Sequence, residues 1–420
     1  MKILHITAHM GGGVGNILSK ISQFDTDNLH AILCLEETKN PHFYKESLDA
    51  GVPIFQCSDL DNGNLLDTYD LVQVEWWHHP RTMEFLLHVL GKRELRLILW
   101  SHISGCGYPH FPPSLLRAVN GVAFTSPYSL ENGWFSERDR VYARENCPVI
   151  PSVANRFENI LPRKEHHGFR VGYVGFLGYN KLHPNFIEYC KSAYSIPDVH
   201  FTIVGDLNYN LELRQQISEL PESGLYELKG YTENVYSELC KMDVFGYPLN
   251  SDHTGTTENA LLEAMAAGVV PVAMNQGCER HIIQHGKTGF LVNSVAEYGE
   301  ALHYLYENPQ KRIQMGECAA HSIKTRFHLS STLKLWNEYY QKVGQTKKMK
   351  HEQQLLQVFG STPYDWVTAC YDPCADRSEE LLLGASKGSF QQYNAYFPDD
   401  ERLKQLLAER KSHGGCTLQL

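Results

Sequence analysis

Short apolar runs alternate with helical segments along most of this chain, and the alternation occurs as two separate series. The first series begins with residues 3–7 and the second with residues 170–174. Strands that alternate with helices need crossover connections, which give a parallel sheet covered on both faces. The sequence therefore predicts an α/β fold with two doubly wound, Rossmann-like domains. The other candidate strands are residues 31–35, 71–75, 97–100, 122–125, 200–204, 243–247, 269–273 and 290–292.

The length of the chain agrees with this division. A domain usually takes about 100–200 residues, so the 420 residues accommodate two domains and a remainder. We predict an N-terminal domain over residues 1–150, a proline-containing linker over 151–168 and a second domain over 169–344. Residues 345–420 lack the alternation and are too few for a large core of their own. We assign them to a C-terminal extension of unknown role.

The charge balance limits the partners of the chain. Lys and Arg number 38 against 48 Asp and Glu, which gives a formal net charge of −10. A nucleic acid would be repelled, whereas a local cationic pocket for a small phosphate ligand is compatible with this balance. No apolar run reaches the length of about 18 residues that would cross a membrane, and residues 1–7 do not resemble a signal peptide. Because the 11 cysteines are scattered, we expect a cytoplasmic protein without a disulfide framework.

A glycine-rich turn follows the first predicted strand. Four of the residues 11–15 are glycine, with Gly12 and Gly13 at the centre. Glycine lets backbone amides approach a phosphate, and the following helix adds a partial positive charge. Asn16 replaces the third glycine of a dinucleotide-binding turn, whereas Glu36 stands about 20 residues further, where such folds bind a ribose. The turn predicts a ligand loop, and an NAD-dependent oxidoreductase is one class of enzyme that would use it.

A lysine follows the first strand of the second series. Residues 175–184 form a loop with two glycines and one lysine, Lys181. At the carboxyl end of a parallel strand, this side chain would provide a compact positive charge for a phosphate. A solvated loop lysine would give the same local pattern. Lys181 alone therefore does not indicate a phosphate site, and other motifs in the sequence must support that role.

A strongly helical segment lies near residues 257–267. Thr256 and Thr257 are suitable N-cap residues, and Glu258 in the first turn would be favoured by the helix dipole. Glu263 lies in the middle of this helix between leucine, alanine and methionine. We therefore expect Glu263 to be buried and to need a partner, for which a ligand hydroxyl is suitable.

Residues 262–272, Leu-Glu-Ala-Met-Ala-Ala-Gly-Val-Val-Pro-Val, closely resemble the signature of family 4 glycosyltransferases, in the glycosyl transferases group 1 superfamily. Residues 11–15, Lys181, residues 204–206, and Glu279 with the segment 286–292 resemble further landmarks of that family, in the same order. The resemblance extends from residue 1 to about 343. It implies the GT-B fold, in which an acceptor-side domain and a nucleotide-sugar-binding domain face each other across a cleft.

The resemblance also implies the reaction and the roles of individual residues. It implies a retaining, metal-independent transfer of a sugar from a nucleotide-sugar donor to a hydroxyl of a glycan, a lipid or a small metabolite. Glu263 would bind the nucleotide ribose, Lys181 the donor diphosphate, and Glu279 would lie near the nucleobase. His102 resembles the histidine near the sugar and the acceptor. The predicted catalytic residues are His102 and Lys181, and the predicted donor-binding residues are Gly12, Gly13, Lys181, Thr256, Thr257, Glu258, Glu263 and Glu279.

Two positions depart from the family pattern. Gly255 stands where the family has the first glutamate of its E-x7-E motif, and Phe176 stands where it often has an arginine. Glu258 would not replace that glutamate, because five helical residues at about 100° each place it roughly 140° away from Glu263. These departures leave a second alternative, a catalytically weakened homologue that acts as a binding subunit.

A histidine-rich segment follows a strand of the first series. Trp77, His78 and His79 are candidate acceptor-binding residues, because aromatic rings stack on sugar faces; packing roles compete equally. The segment Asp59-Leu60-Asp61 and the pair Cys370 and Cys374 lack the context of a metal site, so we expect no metal. A basic segment at residues 81–96 allows at most peripheral contact with a membrane.

Overall fold

The computed structural model describes residues 1–38, 41–62, 65–153, 166–232, 234–374 and 387–414. The chain forms two compact units, Met1–Pro151 together with Ser330–Leu420, and Ser152–Leu329. Most of the predicted linker, residues 154–165, lies outside the described residues. Within the described part, no helix has the length and apolar character that crossing a membrane requires.

The first unit contains a parallel sheet with the strand order β3-β2-β1-β4-β5-β6 in the described residues. Hydrophobic residues from both sheet faces and from the surrounding helices form one continuous core. The strands are β1 Lys2–Thr7, β2 Leu29–Cys34, β3 Ile54–Gln56, β4 Leu71–Trp76, β5 Leu97–Ser101 and β6 Gly121–Phe124, and the helices of the first part are α1 Gly12–Phe24, α2 His42–Asp49, α3 Pro80–Phe85 and α4 Glu137–Asn146.

The second unit repeats this topology. Its strands have the order β9-β8-β7-β10-β11-β12, which is the Rossmann order of the first sheet. The predicted α/β fold with two doubly wound domains is therefore confirmed. The strands are β7 Phe169–Val174, β8 Val199–Val204, β9 Tyr226–Gly230, β10 Val244–Tyr247, β11 Val270–Met274 and β12 Phe290–Val292, and the helices are α5 Phe186–Lys191, α6 Leu211–Glu219, α7 Val235–Leu239, α8 Asn259–Ala266, α9 Glu279–Ile282, α10 Val295–Glu307 and α11 Pro309–Arg326.

Two strands were not predicted, and both are edge strands. β3 has three half-buried residues, and β9 alternates half-buried with exposed residues such as Glu227 and Lys229. Their sequences lack the apolar run of a central parallel strand, because an edge strand has a neighbour on one side only. The pattern of hydrophobic residues therefore found the centre of each sheet and missed one edge.

The second domain ends earlier than the predicted residue 344. Helix α12, Leu329–Gly344, packs in the first unit, where the Trp336 ring lies 5.0 Å from the Trp100 ring and Tyr339 donates a hydrogen bond of 3.0 Å to the Val122 carbonyl. An amphipathic helix pattern predicts that one face is buried but does not identify the sheet that buries it. The predicted boundary is therefore wrong by one helix.

The C-terminal extension joins the same core. Its helices are α13 Glu352–Phe359, α14 Pro363–Thr368, α15 Phe390–Tyr396 and α16 Glu401–Gly414. Leu355, Phe359, Trp366 and Tyr393 belong to the hydrophobic core of the first unit. The described helices of the extension thus share the core of the first unit, which agrees with the small size of the extension.

Removing the Trp336 side chain should destabilise the first unit. Trp336 is fully buried, so its replacement by alanine leaves a large cavity that should cost about 3–5 kcal/mol of unfolding free energy. Chemical denaturation followed by circular dichroism measures this change. Lys334→Ala is the control on the same helix; because the Lys334 side chain is 78% exposed, a change of no more than about 0.5 kcal/mol is expected. Equal effects of the two substitutions would contradict the assignment of α12 to this core.

Candidate functional sites

The centre of the second sheet places a lysine next to a buried carboxylate. Lys181 follows β7 and Glu258 follows β10, the two strands between which the direction of the strand order changes. Ligands of doubly wound sheets bind outside the carboxyl ends of the strands at this point. Lys181 Nζ lies 2.7 Å from Glu258 Oε2, and the Tyr247 hydroxyl donates a hydrogen bond of 2.7 Å to the same oxygen. The lysine is 28% exposed and the glutamate 4%.

A buried histidine and a second carboxylate extend this cluster. His253 Nδ1 accepts a hydrogen bond of 3.0 Å from the Gly255 amide, which leaves the ring proton of the neutral form on Nε2. His253 Nε2 lies 2.9 Å from Glu279 Oε1, at ion-pair distance but without hydrogen-bond alignment. Burial by itself would lower the pKa of His253. The carboxylates of Glu279 and Glu258 together raise it by more, so the pKa of His253 lies above its ordinary value.

Glu258 is ionised inside the unit. Burial alone would raise the pKa of this carboxyl group, but the positive charge of Lys181 and the neighbouring His253 lower it to about 2. A buried charge needs a partner, so Lys181 and Glu258 stabilise one another. The cluster formed by Lys181, Tyr247, His253, Glu258 and Glu279 is called the β7–β10 cluster below.

The predicted start of the helix near residue 257 is wrong. Helix α8 begins at Asn259, and Glu258 occupies the N-cap position with extended backbone angles. Its side chain caps no helical amide and binds Lys181 instead. Thr256 is buried and Thr257 is half-buried, and both precede the helix by more than one residue. The threonines matched the N-cap preference, but the half-buried Lys181 holds Glu258 in the position from which the helix begins.

The extended backbone of Glu258 changes the interpretation of Gly255. A Cβ atom at position 255 would lie 1.8 Å from Glu258 Oε1 and 2.7 Å from His253 Nδ1. The carboxylate of Glu258 therefore lies where a side chain of residue 255 would begin. The helical argument that separated Glu258 from this position is wrong, because Glu258 is not part of the helix.

Glu263 is less buried than expected. The structure places it on α8 as a half-buried residue, although Leu261, Leu262, Ala264 and Met265 are fully buried. Successive helical residues point about 100° apart, so one position between apolar neighbours can still face the less covered side.

Phe176 is the second position that departs from the family pattern. Its ring packs against the ring of Tyr209, with 4.8 Å between the ring centres.

In the first unit, His102 and the glycine turn lie at the carboxyl ends of β5 and β1. The side chain of His102 is 8% exposed, and its Nε2 lies 2.7 Å from Glu75 Oε2. Gly12 and Gly13 are exposed at the start of α1, where Gly12 has a φ of 61°, a conformation that favours glycine. Sequence reasoning missed Glu75, although a carboxylate in a strand of mostly apolar residues is a signal of a buried polar contact.

The candidate acceptor residues Trp77, His78 and His79 are all buried. His78 is fully buried, with Nε2 3.3 Å from the Tyr393 hydroxyl, so its side chain packs against the C-terminal extension. His79 Nε2 lies 3.4 Å from the Tyr396 hydroxyl. The sequence could not show this, because the covering residues lie more than 300 positions away in the C-terminal extension.

Comparisons with known proteins agree with this architecture. The family model described as "Glycosyl transferases group 1" matches residues 158–322. A GDP-Man:Man(3)GlcNAc(2)-PP-Dol alpha-1,2-mannosyltransferase of Dictyostelium discoideum is 35% identical over 85 residues, 20% of this chain and 16% of that protein. A D-inositol 3-phosphate glycosyltransferase of Pseudarthrobacter chlorophenolicus is 30% identical over 136 residues, 29% of this chain and 30% of that protein. The chain thus matches less than a third of the length of each of these relatives.

Two solved structures share the fold over most of this chain. HepE of Anabaena, in complex with UDP-glucose, has a TM-score of 0.64 at 19% identity, over 81% of this chain and 100% of that chain. A glycosyltransferase from Rickettsia africae has a TM-score of 0.66 at 15% identity, over 82% of this chain and 99% of that chain. At these identities the likeness shows the fold, two Rossmann-like domains of the GT-B type.

Acidification should reveal the stabilising role of Glu258. Its folded pKa of about 2 lies below the ordinary value of 4.5, so its contribution to stability is present above pH 4.5 and is lost as the pH falls towards 2. The contribution should be about 3 kcal/mol at neutral pH. Glu258→Gln should lack this part of the pH dependence, as measured by denaturant unfolding at several pH values. Glu300→Gln, on an exposed position of α10, is the control; an unaltered pH profile in Glu258→Gln would refute the ionised pair.

Proposed function

We propose that this chain, whose residues 158–322 match the family model described as "Glycosyl transferases group 1", transfers a sugar from a nucleotide-sugar donor to an acceptor hydroxyl. The observation that carries the proposal is the β7–β10 cluster. It places a lysine and an ionised carboxylate at the carboxyl ends of two central strands of a doubly wound sheet. This is where such sheets bind phosphate-containing ligands.

In this proposal Lys181 binds the diphosphate of the donor. Its positive charge stabilises the negative charge that develops on the diphosphate as the bond to the sugar breaks. The backbone amides before α8, at Thr256 and Thr257, and those of Gly12 and Gly13 would add donors for phosphate or sugar oxygens. The positive charge of Lys181 and these amides would stabilise the diphosphate without a metal ion. We therefore propose a metal-independent reaction that retains the configuration of the sugar.

Glu258 would supply the carboxylate that position 255 lacks. Its Oε1 lies at the start of the missing side chain, within the distance that a glutamate at 255 would cover. A carboxylate accepts hydrogen bonds from sugar hydroxyls, so Glu258 would bind the donor sugar while it orients Lys181. If Glu258 replaces the missing glutamate, one of the two departures no longer argues for a catalytically weakened homologue. The other departure, Phe176, stands where the family often has an arginine, so in this proposal Lys181 provides the positive charge that balances the phosphates.

The remaining predicted residues take roles from the family resemblance. Glu263 on α8 would bind the ribose, and Glu279 would lie near the nucleobase. His102 would bind a hydroxyl of the sugar or the acceptor. HepE of Anabaena contains UDP-glucose and the Dictyostelium relative is named for a GDP-mannose reaction, so a uridine and a guanosine donor are both candidates here. The proposed acceptor is a hydroxyl of a glycan, a lipid or a small metabolite.

Replacement of Lys181 should abolish most of the transfer activity. Loss of one preorganised charge at a leaving group typically costs about 100-fold or more in kcat. Hydrolysis or transfer of UDP- and GDP-sugars, followed by release of the nucleotide, measures the loss in Lys181→Ala. Lys191→Ala, which removes an exposed lysine of α5, is the matched control. Binding of NAD in preference to UDP or GDP would refute the transferase and favour the oxidoreductase.

Replacement of Glu263 by glutamine should weaken the binding of the nucleotide. A carboxylate that accepts hydrogen bonds from ribose hydroxyls contributes more than a neutral amide, so an affinity loss of about tenfold is expected. Calorimetric titration with UDP and GDP measures it, with Glu300→Gln as the control on an exposed face of α10. Binding that is unchanged in Glu263→Gln would reject the ribose role and leave the role of Lys181 to its own test.

A further inference from the structure

A row of buried polar side chains runs through the first unit behind His102. It passes from His102 through Glu75, His5 and His30 to Asp25, and it connects the ends of β5 and β4 with β1, β2 and the residue after α1. The side chains of Glu75, His5 and His30 are 0% exposed, and that of Asp25 is 1% exposed. None of the four residues that follow His102 in this row belongs to the sites proposed above. This row is called the His102–Asp25 chain.

Four hydrogen-bond distances make the chain continuous. His102 Nε2 lies 2.7 Å from Glu75 Oε2, and Glu75 Oε1 lies 2.9 Å from His5 Nδ1. His5 Nε2 lies 2.8 Å from His30 Nδ1, and His30 Nε2 lies 2.9 Å from Asp25 Oδ2. Both ring nitrogens of His5 and of His30 are therefore engaged, and each of the four links needs one proton.

The number of protons limits the charge of the chain. Three neutral imidazoles supply one proton each, and two ionised carboxylates supply none, so one of the four links would lack a proton. A buried link without a proton would bring two lone pairs together, which is unfavourable. A complete chain therefore holds one proton more than neutral histidines and ionised carboxylates provide.

The surroundings show where the additional proton lies. Asp25 accepts two further hydrogen bonds of 2.9 Å, from the Asn28 amide group and from the Asp27 backbone amide. Burial would raise the pKa of Asp25, but these bonds and His30 lower it to about 2, so Asp25 is ionised. Burial lowers the pKa of His5 to about 3 and also lowers the pKa of His30, so both rings are neutral, whereas it raises the pKa of Glu75. With Asp25 ionised and both of these rings neutral, Glu75 is the member of the row that is left to hold the additional proton.

Other groups that approach the chain are compatible with this assignment. The side-chain amide group of Gln73 donates a hydrogen bond of 2.9 Å to Glu75 Oε1, and the Tyr340 hydroxyl of α12 donates one of 2.8 Å to Gln73 Oε1. The amino group of Met1 donates a bond of 3.1 Å to Asn28, at the Asp25 end. With Glu75 neutral, all four links of the chain donate in one direction, from His102 towards Asp25.

We propose that the His102–Asp25 chain fixes the tautomer of His102: Glu75, held as a neutral carboxylic acid, accepts the Nε2 proton of His102, so that Nδ1 remains a hydrogen-bond acceptor. His102 Nδ1 has no partner among the described residues, so it can accept a hydrogen bond from a ligand hydroxyl. This arrangement differs from a catalytic Asp–His pair, in which an ionised carboxylate stabilises the imidazolium. The chain consists of positioning residues, and only the identity of the ligand hydroxyl rests on the proposed sugar transfer.

Nitrogen-15 spectra of the histidine rings in the 420-residue protein test the proposal directly. At neutral pH, His102 should show the proton on Nε2, and infrared spectra should show a protonated carboxyl band that is lost in Glu75→Gln. Glu75→Gln should keep the tautomer of His102, because the amide oxygen accepts from His102 while the amide nitrogen donates to His5 Nδ1. Glu75→Ala should lose it. His351→Gln removes another buried histidine of the same unit and should change neither signal.

The outcomes separate this proposal from the proposed function. An ionised Glu75, a proton on His102 Nδ1, or a changed tautomer in Glu75→Gln would overturn it. If Glu75→Ala does not fold, the wild-type spectra and the Glu75→Gln variant still decide the question. The expected spectra in a protein that transfers no sugar would contradict the proposed function and leave the chain supported. Sugar transfer by a protein with an ionised Glu75 would do the opposite.

Discussion

Charged and polar side chains inside this protein need partners, and the two proposed sites follow from that requirement. A buried carboxylate loses its hydration, so it persists only with a cation, with several hydrogen bonds, or in protonated form. The second unit uses the first solution, since Lys181 pairs with Glu258. The first unit uses the others, since Asp25 accepts three hydrogen bonds and Glu75 keeps its proton. The same residue type is therefore an anion in one unit and a neutral acid in the other.

The two parallel sheets determine where these partners meet. In each sheet the strand order changes direction at the centre, and the loops after the central strands lie at the same edge. Lys181 and Glu258 are 77 positions apart in sequence, yet they follow the two adjacent strands β7 and β10. His5 and Glu75 lie on the neighbouring strands β1 and β4 in the same way. The topology thus brings polar residues that are distant in sequence into contact at each proposed site.

The sequence predicted the central strands, but it did not show which polar side chains become partners. Apolar runs identified the interior strands, whereas the half-buried edges β3 and β9 gave no such signal. The helix after residue 257 was predicted from N-cap preferences, but the attraction between Glu258 and Lys181 outweighs the preference of the threonines. The sequence did not single out Glu75, because its partners are His5 on the neighbouring strand β1 and His102 directly after β5.

The sequence by itself determined that this chain forms two doubly wound α/β units and that Lys181 and His102 follow strands. Both features depend on local periodicity and on the order of elements along the chain, which a sequence shows directly. Only the tertiary structure decided that Glu258 fills the space beside Gly255, that α12 and the C-terminal extension complete the first unit, and that a chain of buried histidines lies behind His102. These features depend on which buried groups become neighbours, because the free energy of a buried charge or ring is set by its contacts in space.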